Sequence, residues 1–358
     1  MKIAITGLSN SGKTTIFNAL TRQRAETTIY PTTSGEPNIA TVKVPDKRVD
    51  SLSEIFKPKK TTYATIEYID YLGLSKEDKK QNRAVFDLIK DADALLEVVR
   101  AFDEPSVVHP LGSIDPLRDI RVFEGELLFC DFELVEKRLQ SIEQMAKKGK
   151  KPPEEEKKVL IKCREHLDRE IPLRDIEFSA DELRAIRHLQ FYSIKPVLIV
   201  INIGEGDISK GDSIKEGHWQ EGRSVRVLTL CGKIESELTE LSPSEAEAFL
   251  IDLGIEEPAL NKLIHASYEL LGLISFLTVG HDEVRAWTIK RGTTALEAAG
   301  KIHSDIEKGF IRAEVISYED FMSVGGDMQI AKSKGLLRLE GKTYEVKDGD
   351  IINFRFSV

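Results

Sequence analysis

Cysteine is scarce in this 358-residue chain: Cys130, Cys163 and Cys231 lie far apart and form no Cys-x-x-Cys pair. A disulfide framework and a structural zinc site are therefore not expected, and a reducing cytoplasm is the expected compartment. The seven histidines are scattered, and none has the i, i+4 spacing of a helical metal pair. No apolar run approaches the roughly 20 residues that span a bilayer, so no membrane association is expected. The stretch from Met1 to Thr6 turns polar too early for a signal peptide. Positive charge is also in deficit, with 51 Lys+Arg against 60 Asp+Glu and a net charge of −9. That balance argues against broad coating of nucleic acid but leaves room for one local basic face. What remains is a soluble globular composition, 41% hydrophobic and 31% charged, long enough for two or three units.

The texture changes along the chain. Residues 2–6 read as a strand and 14–24 as a helix, with Ile16, Phe17 and Leu20 at helical spacing. Residues 39–44 and 63–69 read as a strand pair. The runs 94–100, 197–202 and 225–230 are continuously apolar, as in strands covered on both faces of a mostly parallel sheet. Strand signal is missing from 127 to 192. Leu128, Val135, Leu139 and Ile142 form one helical stripe, and Leu160, Cys163 and Leu167 a second. Leu183 and Ile186 form a shorter third stripe. These predict a helical hairpin with one more helix, inserted in the α/β unit. At its tip stands Lys147-Lys148-Gly149-Lys150-Lys151, either a solvated turn or a contact for RNA phosphate. Beyond 277, strands at 284–289 and 311–316, a helix at 295–308 and a closing β pair of 343–346 with 351–356 predict a small α+β domain. The expected division is 1–126 and 193–277 for the α/β domain, 127–192 for the insertion and 278–358 for the tail.

The sharpest motif is Gly7-Leu8-Ser9-Asn10-Ser11-Gly12-Lys13-Thr14, a full G-x-x-x-x-G-K-[ST] between a strand and a helix. Glycines let the backbone curl so that N–H groups of Asn10, Ser11, Gly12, Lys13, Thr14 and Thr15 converge on phosphate oxygens at a helix N-terminus. Lys13 would reach the β- and γ-phosphates and stabilise charge on the transferred phosphoryl, the one catalytic role assigned. The Thr14 hydroxyl would ligate Mg²⁺. Asp70-Tyr71-Leu72-Gly73 follows a strand, which puts Asp70 near the Mg²⁺ and the Gly73 N–H near a γ-phosphate. In Tyr30-Pro31-Thr32-Thr33-Ser34-Gly35, Ser34 or a neighbouring threonine is the candidate second metal ligand, and an ordinary polar loop is the alternative.

A guanine-specific G domain ends its base-reading strand in Asn-Lys-x-Asp. Here that strand ends in Asn202-Ile203-Gly204-Glu205, with Ile203 in place of the lysine and a longer carboxylate. Guanine selectivity is not secured. Asn202 and Glu205 are expected near the base, with Cys231 in the loop that closes over it.

With these residues in view, the chain resembles the YchF family, also called Obg-like ATPases, nearly end to end. The resemblance rests on the P-loop, Glu36-Pro37-Asn38, the N-x-x-E at 202–205 and the helical insertion. At the C-terminus it rests on the segments 283–289, 298–303, 307–313 and 346–350. It implies a TGS tail of β-grasp fold, ATP preferred over GTP, Mg²⁺ as cofactor and a ribosome-related partner, the ribosome or its RNA, with a monomer expected. The family's Gly-rich segment after D-x-x-G is replaced at 74–81 by Leu-Ser-Lys-Glu-Asp-Lys-Lys-Gln, and its switch threonine by Ser34. Leu74 stands where many G proteins carry a water-orienting glutamine, so no side-chain amide acts from that position. Two functional expectations follow: a slow nucleoside triphosphatase coupled to the ribosome, or a nucleotide-gated binding module with little hydrolysis.

Overall fold

The computed structural model describes residues 1–22, 37–71, 73–74, 79–210 and 225–357. Ser34 and the polar segment around it lie outside these residues. The chain divides into two units, Met1–Ala40 with Glu67–Leu260, and Thr41–Ile66 with Asn261–Val358.

The first sheet contains β1 (Lys2–Thr6), β2 (Asn38–Lys43), β4 (Thr65–Asp70), β5 (Ala94–Ala101), β6 (Val197–Ile203) and β7 (Arg226–Leu230) in the order β2-β4-β1-β5-β6-β7. From β4 to β7 every neighbouring pair is parallel. β5 and β6 are buried almost throughout, which is why their sequences are unbroken apolar runs. Because these strands run the same way, their carboxyl ends meet at one edge. There Ile5 pairs with Asp70, Thr6 with Glu97, and Arg100 with Asn202. That edge is where ligands bind in open α/β sheets.

Between β5 and β6 the chain leaves the sheet. Helix α4 (Pro116–Lys147) begins under Asp115, whose side chain accepts the Arg118 N–H, with proline in the first turn. The expected start of the insertion at 127 thus falls inside one continuous helix. Helix α5 (Glu154–Leu167) returns against it, and Val135, Leu139, Ile142, Val159, Leu160 and Cys163 form their common core. A third helix, Ala180–Ile186, starts with a Ser179/Glu182 capping box. Asp131 ties the hairpin to the turn that leads into β6. Fully buried, its carboxylate accepts the N–H groups of Tyr192 (2.8 Å) and Ser193 (2.7 Å) and the Ser193 hydroxyl (2.7 Å).

The second sheet has the order β11-β10-β12-β8-β9-β3, from β3 (Lys60–Thr62), β8 (Leu273–Thr278), β9 (Glu283–Lys290), β10 (Phe310–Ser317), β11 (Arg338–Glu340) and β12 (Asp350–Phe356). Four features differ from the sequence expectation. β8 lies before the expected boundary at 278 but belongs to this sheet. Residues 41–66 join this unit as well: β3 pairs in parallel with β9, and the Thr62 hydroxyl donates to Glu283 (2.6 Å). Residues 343–346 are not a strand; β12 pairs instead with β10 and β8. The helix expected over 295–308 breaks at His303, whose extended backbone starts a second short helix and whose imidazole accepts the Asp305 N–H. Ala295, Ala298 and Ala299 are fully buried in the core formed with this sheet, where larger side chains would hold the helix away.

Asp131 makes one pH dependence testable. Burial pushes its carboxyl up to about 6, against the pull of Ser193, the Tyr192 and Ser193 N–H groups and Lys195. Between about pH 4 and 6 the unfolded chain surrenders this proton first, so the folded state loses stability as pH rises through that window. Relative to Asp131→Asn, which cannot titrate, the parent should lose up to about 3 kcal/mol from pH 4 to pH 7 in urea denaturation. A difference that stays flat across that range would show that Asp131 does not carry the dependence.

Candidate nucleotide-binding site

The loop after β1 curls through two glycines at positive φ, Gly7 (129°) and Gly12 (91°), with Asn10 also left-handed (62°). A Cβ at Gly12 would collide with the Asn202 amide, so that position needs glycine for both conformation and space. Asn10 holds its conformation by donating from Nδ2 to the Val108 carbonyl (2.9 Å). Helix α1 (Lys13–Thr21) follows at once, and among the described residues no side chain caps its N-terminus. Its first N–H groups are thus left without a capping side chain at the sheet edge, the arrangement that receives an anion.

Lys13 is 6% exposed, and its Nζ donates to the Leu8 carbonyl (2.7 Å). Burial lowers its pKa to about 8, partly offset by the charge of Asp70. Asp70 is buried too, and its carboxyl is pushed above its ordinary value by burial. Lys13, Thr14 and Asn38 pull it back down. The Thr14 hydroxyl donates to Asp70 Oδ2 (2.9 Å), while Asp70 Oδ1 and Ser11 Oγ are buried with no hydrogen-bond partner among the described residues. A buried, unpartnered carboxylate oxygen beside a hydroxyl is a hard-oxygen donor set, which fits Mg²⁺. Among the described residues no group of three or more His, Cys, Asp or Glu forms a separate metal site. Thr15, on the first turn of α1, is half-buried.

The segment after Asp70 is stitched to the phosphate loop. The Leu74 N–H donates to the Gly7 carbonyl (3.0 Å), and the Leu74 carbonyl accepts from Ser9 N (3.0 Å) and Oγ (3.2 Å). Gly73 passes so close that a Cβ there would stand 2.6 Å from Lys13 Nζ and from Ser9 Cα. Leu74 itself is 2% exposed and packs in the core rather than facing a ligand.

At the end of β6, Asn202 is buried and both ends of its amide are taken. Nδ2 donates to the Ser11 carbonyl (3.0 Å), and Oδ1 accepts the Gly232 N–H (2.9 Å). Asn202 therefore fastens the phosphate loop to the first turn of the helix Gly232–Glu240, and its amide is engaged there rather than facing a base. Ile203 is buried in the sheet core. The Glu205 carboxylate forms an ion pair with Lys233 (2.5 Å). Cys231 stands at the N-cap of the same helix, buried, its thiol pKa raised by burial, so it packs as a neutral thiol. No extended loop intervenes there, since the helix begins one residue after Cys231.

The sequence reading missed residues at the end of β5. The Arg100 guanidinium donates to the carbonyls of Phe102 (3.1 Å), Val107 (2.9 Å) and Glu104 (3.2 Å), and it lies over the Phe102 ring. Phe102 borders both Gly12 and Gly204 and forms an apolar wall beside the loop. Behind the loop, Ser9, Ser11, Glu97, His109 and Asp119 line a cavity of about 10 Å³, room for about one water. Burial, with Glu124 next to it, holds the Glu97 carboxyl well above the usual range. The only hint in the sequence was a glutamate inside an apolar strand.

Removing the Asn202 amide leaves the Ser11 carbonyl and the Gly232 N–H buried without partners. Asn202→Ala should cost about 1–3 kcal/mol in chemical denaturation. It should also weaken nucleotide binding by about tenfold, the equivalent of about 1.4 kcal/mol. Unchanged nucleotide affinity would mean that the loop keeps its shape without this fastening.

Residues 2–126 match the family described as 50S ribosome-binding GTPase, and residues 273–357 match the YchF-GTPase C-terminal family, described as Protein of unknown function (DUF933). Over 361 residues the chain is 42% identical to the ribosome-binding ATPase YchF of Bacillus subtilis, covering 99% of this chain and 98% of that protein. It is 41% identical over 363 residues to the protein of that name from Escherichia coli O157:H7, covering 100% and 99%. The solved structure of the Schizosaccharomyces pombe YchF GTPase superposes with a TM-score of 0.84 at 30% identity, over 99% of this chain and 97% of that one.

Proposed function

The chain belongs to the YchF family, a family of P-loop nucleotide-binding proteins, and on that premise we propose that it is a Mg²⁺-dependent ATPase that acts as a slow switch on the ribosome. The observation that carries this reading is the buried Lys13 ammonium. It is held at the neck of the phosphate loop with Thr14 and Asp70 on one side and Gly73 on the other. Backbone N–H groups of residues 10–15 bind the phosphates. Lys13 stabilises the charge that grows on the γ-phosphoryl oxygens as its bond to the leaving phosphate breaks. Thr14 and Asp70 hold Mg²⁺, and Ser34 is retained as a candidate ligand from the sequence alone. The metal, when bound, neutralises charge on the β- and γ-oxygens. The Gly73 N–H is the further phosphate donor.

Adenine is favoured by what is absent from the base side. A guanine reader needs a free carboxylate for N1–H and N2–H₂, and the Glu205 carboxylate is committed to Lys233. Asn202 serves the base site by shaping it, while Phe102 and the Cys231–Gly232 backbone supply its walls. Leu74 supports slow turnover: its side chain is apolar and its backbone is bonded to the loop, so it orients no water. The same observation favours a second reading, a nucleotide-gated binding module that hydrolyses little. The ribosome as partner comes from the relatives, which are named ribosome-binding ATPases.

Competition of ATP against GTP for the Mg²⁺-loaded protein should show ATP winning; equal or reversed preference sinks the base reading. Lys13→Ala should abolish triphosphate binding, and retained affinity would dismiss the site. Single-turnover phosphate release should accelerate when ribosomes are added. A rate that stays at the uncatalysed level with and without ribosomes leaves the binding-module reading in its place.

A further inference from the structure

The α4–α5 hairpin treats charge differently along its shaft and at its tip. On the shaft, Lys137 pairs with Glu133 (3.2 Å), Arg138 with Glu156 (2.6 Å), Lys158 with Glu155 (2.9 Å), Lys162 with Glu182 (3.0 Å) and Arg164 with Glu136 (3.6 Å). At the tip, Lys147, Lys148, Lys150 and Lys151 are all exposed, and among the described residues none of their side chains has an acidic or hydrogen-bonding partner. No acidic residue occurs from 144 to 153. Gly149 turns the chain at φ 73°, and a Cβ there would meet nothing within 4 Å, so the turn is open to an incoming surface. Four unpaired ammonium groups within five residues repel one another, a cost that the five paired shaft residues avoid.

We propose that this four-lysine tip is an RNA-contact surface that seats on the phosphate backbone of ribosomal RNA. The assignment rests on the ribosome reading given above and adds the surface and its chemistry. An acidic protein partner is disfavoured because no aromatic residue occurs from 144 to 153 and the one large apolar side chain there, Met145, is half-buried; beside the lysines stand only Ala146, Gly149, Pro152 and Pro153. A membrane surface is disfavoured for the same reason, since interfacial segments need Trp, Phe or Leu beside their lysines. Lysine point charges without base-reading or apolar side chains suit backbone phosphates, where they position rather than specify. The tip lies about 46 Å along α4 from Pro116, at 1.5 Å per residue. A charge change there leaves the phosphate loop untouched. The net charge of −9 keeps the rest of the molecule from binding RNA indiscriminately.

The test replaces all four lysines with glutamine in the full chain, with a four-arginine variant as the charge-preserving control. Binding to protein-free ribosomal RNA is measured across a KCl series, beside co-sedimentation with intact ribosomes and ATP titration. The parent and the arginine variant should bind the RNA with a steep salt dependence. In the glutamine variant the slope of log K against log salt should fall by up to about 3, and low-salt affinity by at least about tenfold. ATP affinity should be the same in all three, which shows that the glutamine variant is folded. Equal slopes and affinities for parent and glutamine variant overturn the tip assignment. So does binding of the parent to intact ribosomes but not to protein-free RNA, which makes the partner an acidic protein. RNA binding that the variant loses, without ribosome co-sedimentation by the parent, upholds the tip and removes only the ribosome reading.

Discussion

The site is organised around a positive charge that is expensive to bury. Lys13 has lost nearly all contact with water, and its compensation among the described residues is one carbonyl and the nearby Asp70 carboxylate. An ammonium in that position is tolerated when its surroundings are rigid, because a small displacement of Asp70 or Leu8 would leave it uncompensated. Much of the local construction serves that rigidity. Leu74 bonds the loop on one side, Asn202 ties it to the helix Gly232–Glu240 on the other, and Asn10 secures it to Val108. The arrangement is completed by an anion: phosphate oxygens would supply the negative charge that the fold leaves short. Binding energy is then gained from a charge already desolvated, the form of preorganisation that enzymes use for phosphoryl transfer.

Charge is managed differently elsewhere. The interior tolerates acids where donors are fixed around them, as at Asp131, and crowds others behind the loop, where Glu97 lies near Glu124 and Asp119. Such groups are costly and carry conformational information, since a buried polar network has one good arrangement and many poor ones. Glu97 sits in register with Thr6 just below the phosphate loop, and Glu124 belongs to α4. The insertion and the nucleotide edge thus share one electrostatic neighbourhood.

Much of this was legible in the amino-acid order. Four specified positions in an eight-residue motif between a strand and a helix define the phosphate loop, because each glycine and the lysine answer a specific geometric need. Unbroken apolar runs at 94–100 and 197–202 announced doubly covered parallel strands, and the stripes through Val135 and Leu160 announced the hairpin. What stayed hidden depends on long-range pairing. Lys60-Thr61-Thr62 has no hydrophobic pattern of its own and becomes a strand because the edge of β9 is there to receive it. The expectation that Asn202 lies near the base did not include the two backbone groups, Ser11 carbonyl and Gly232 N–H, that its amide satisfies. Phe102 gave no motif at all, since its relevance comes from where the chain after β5 passes, beside Gly12 and Gly204.

The pairing of β3 with β9 also has a consequence in time. Thr62 and its hydrogen-bond partner Glu283 are 221 residues apart in the chain. During synthesis at about 5–20 residues per second, residues 41–66 wait roughly 10–45 seconds for the strand that completes their sheet. The second unit is therefore the last to close, and its first segment must stay soluble meanwhile. Its composition, with Lys57, Pro58, Lys59, Lys60, Thr61 and Thr62 in succession around β3, suits a strand that has to wait without finding the wrong partner.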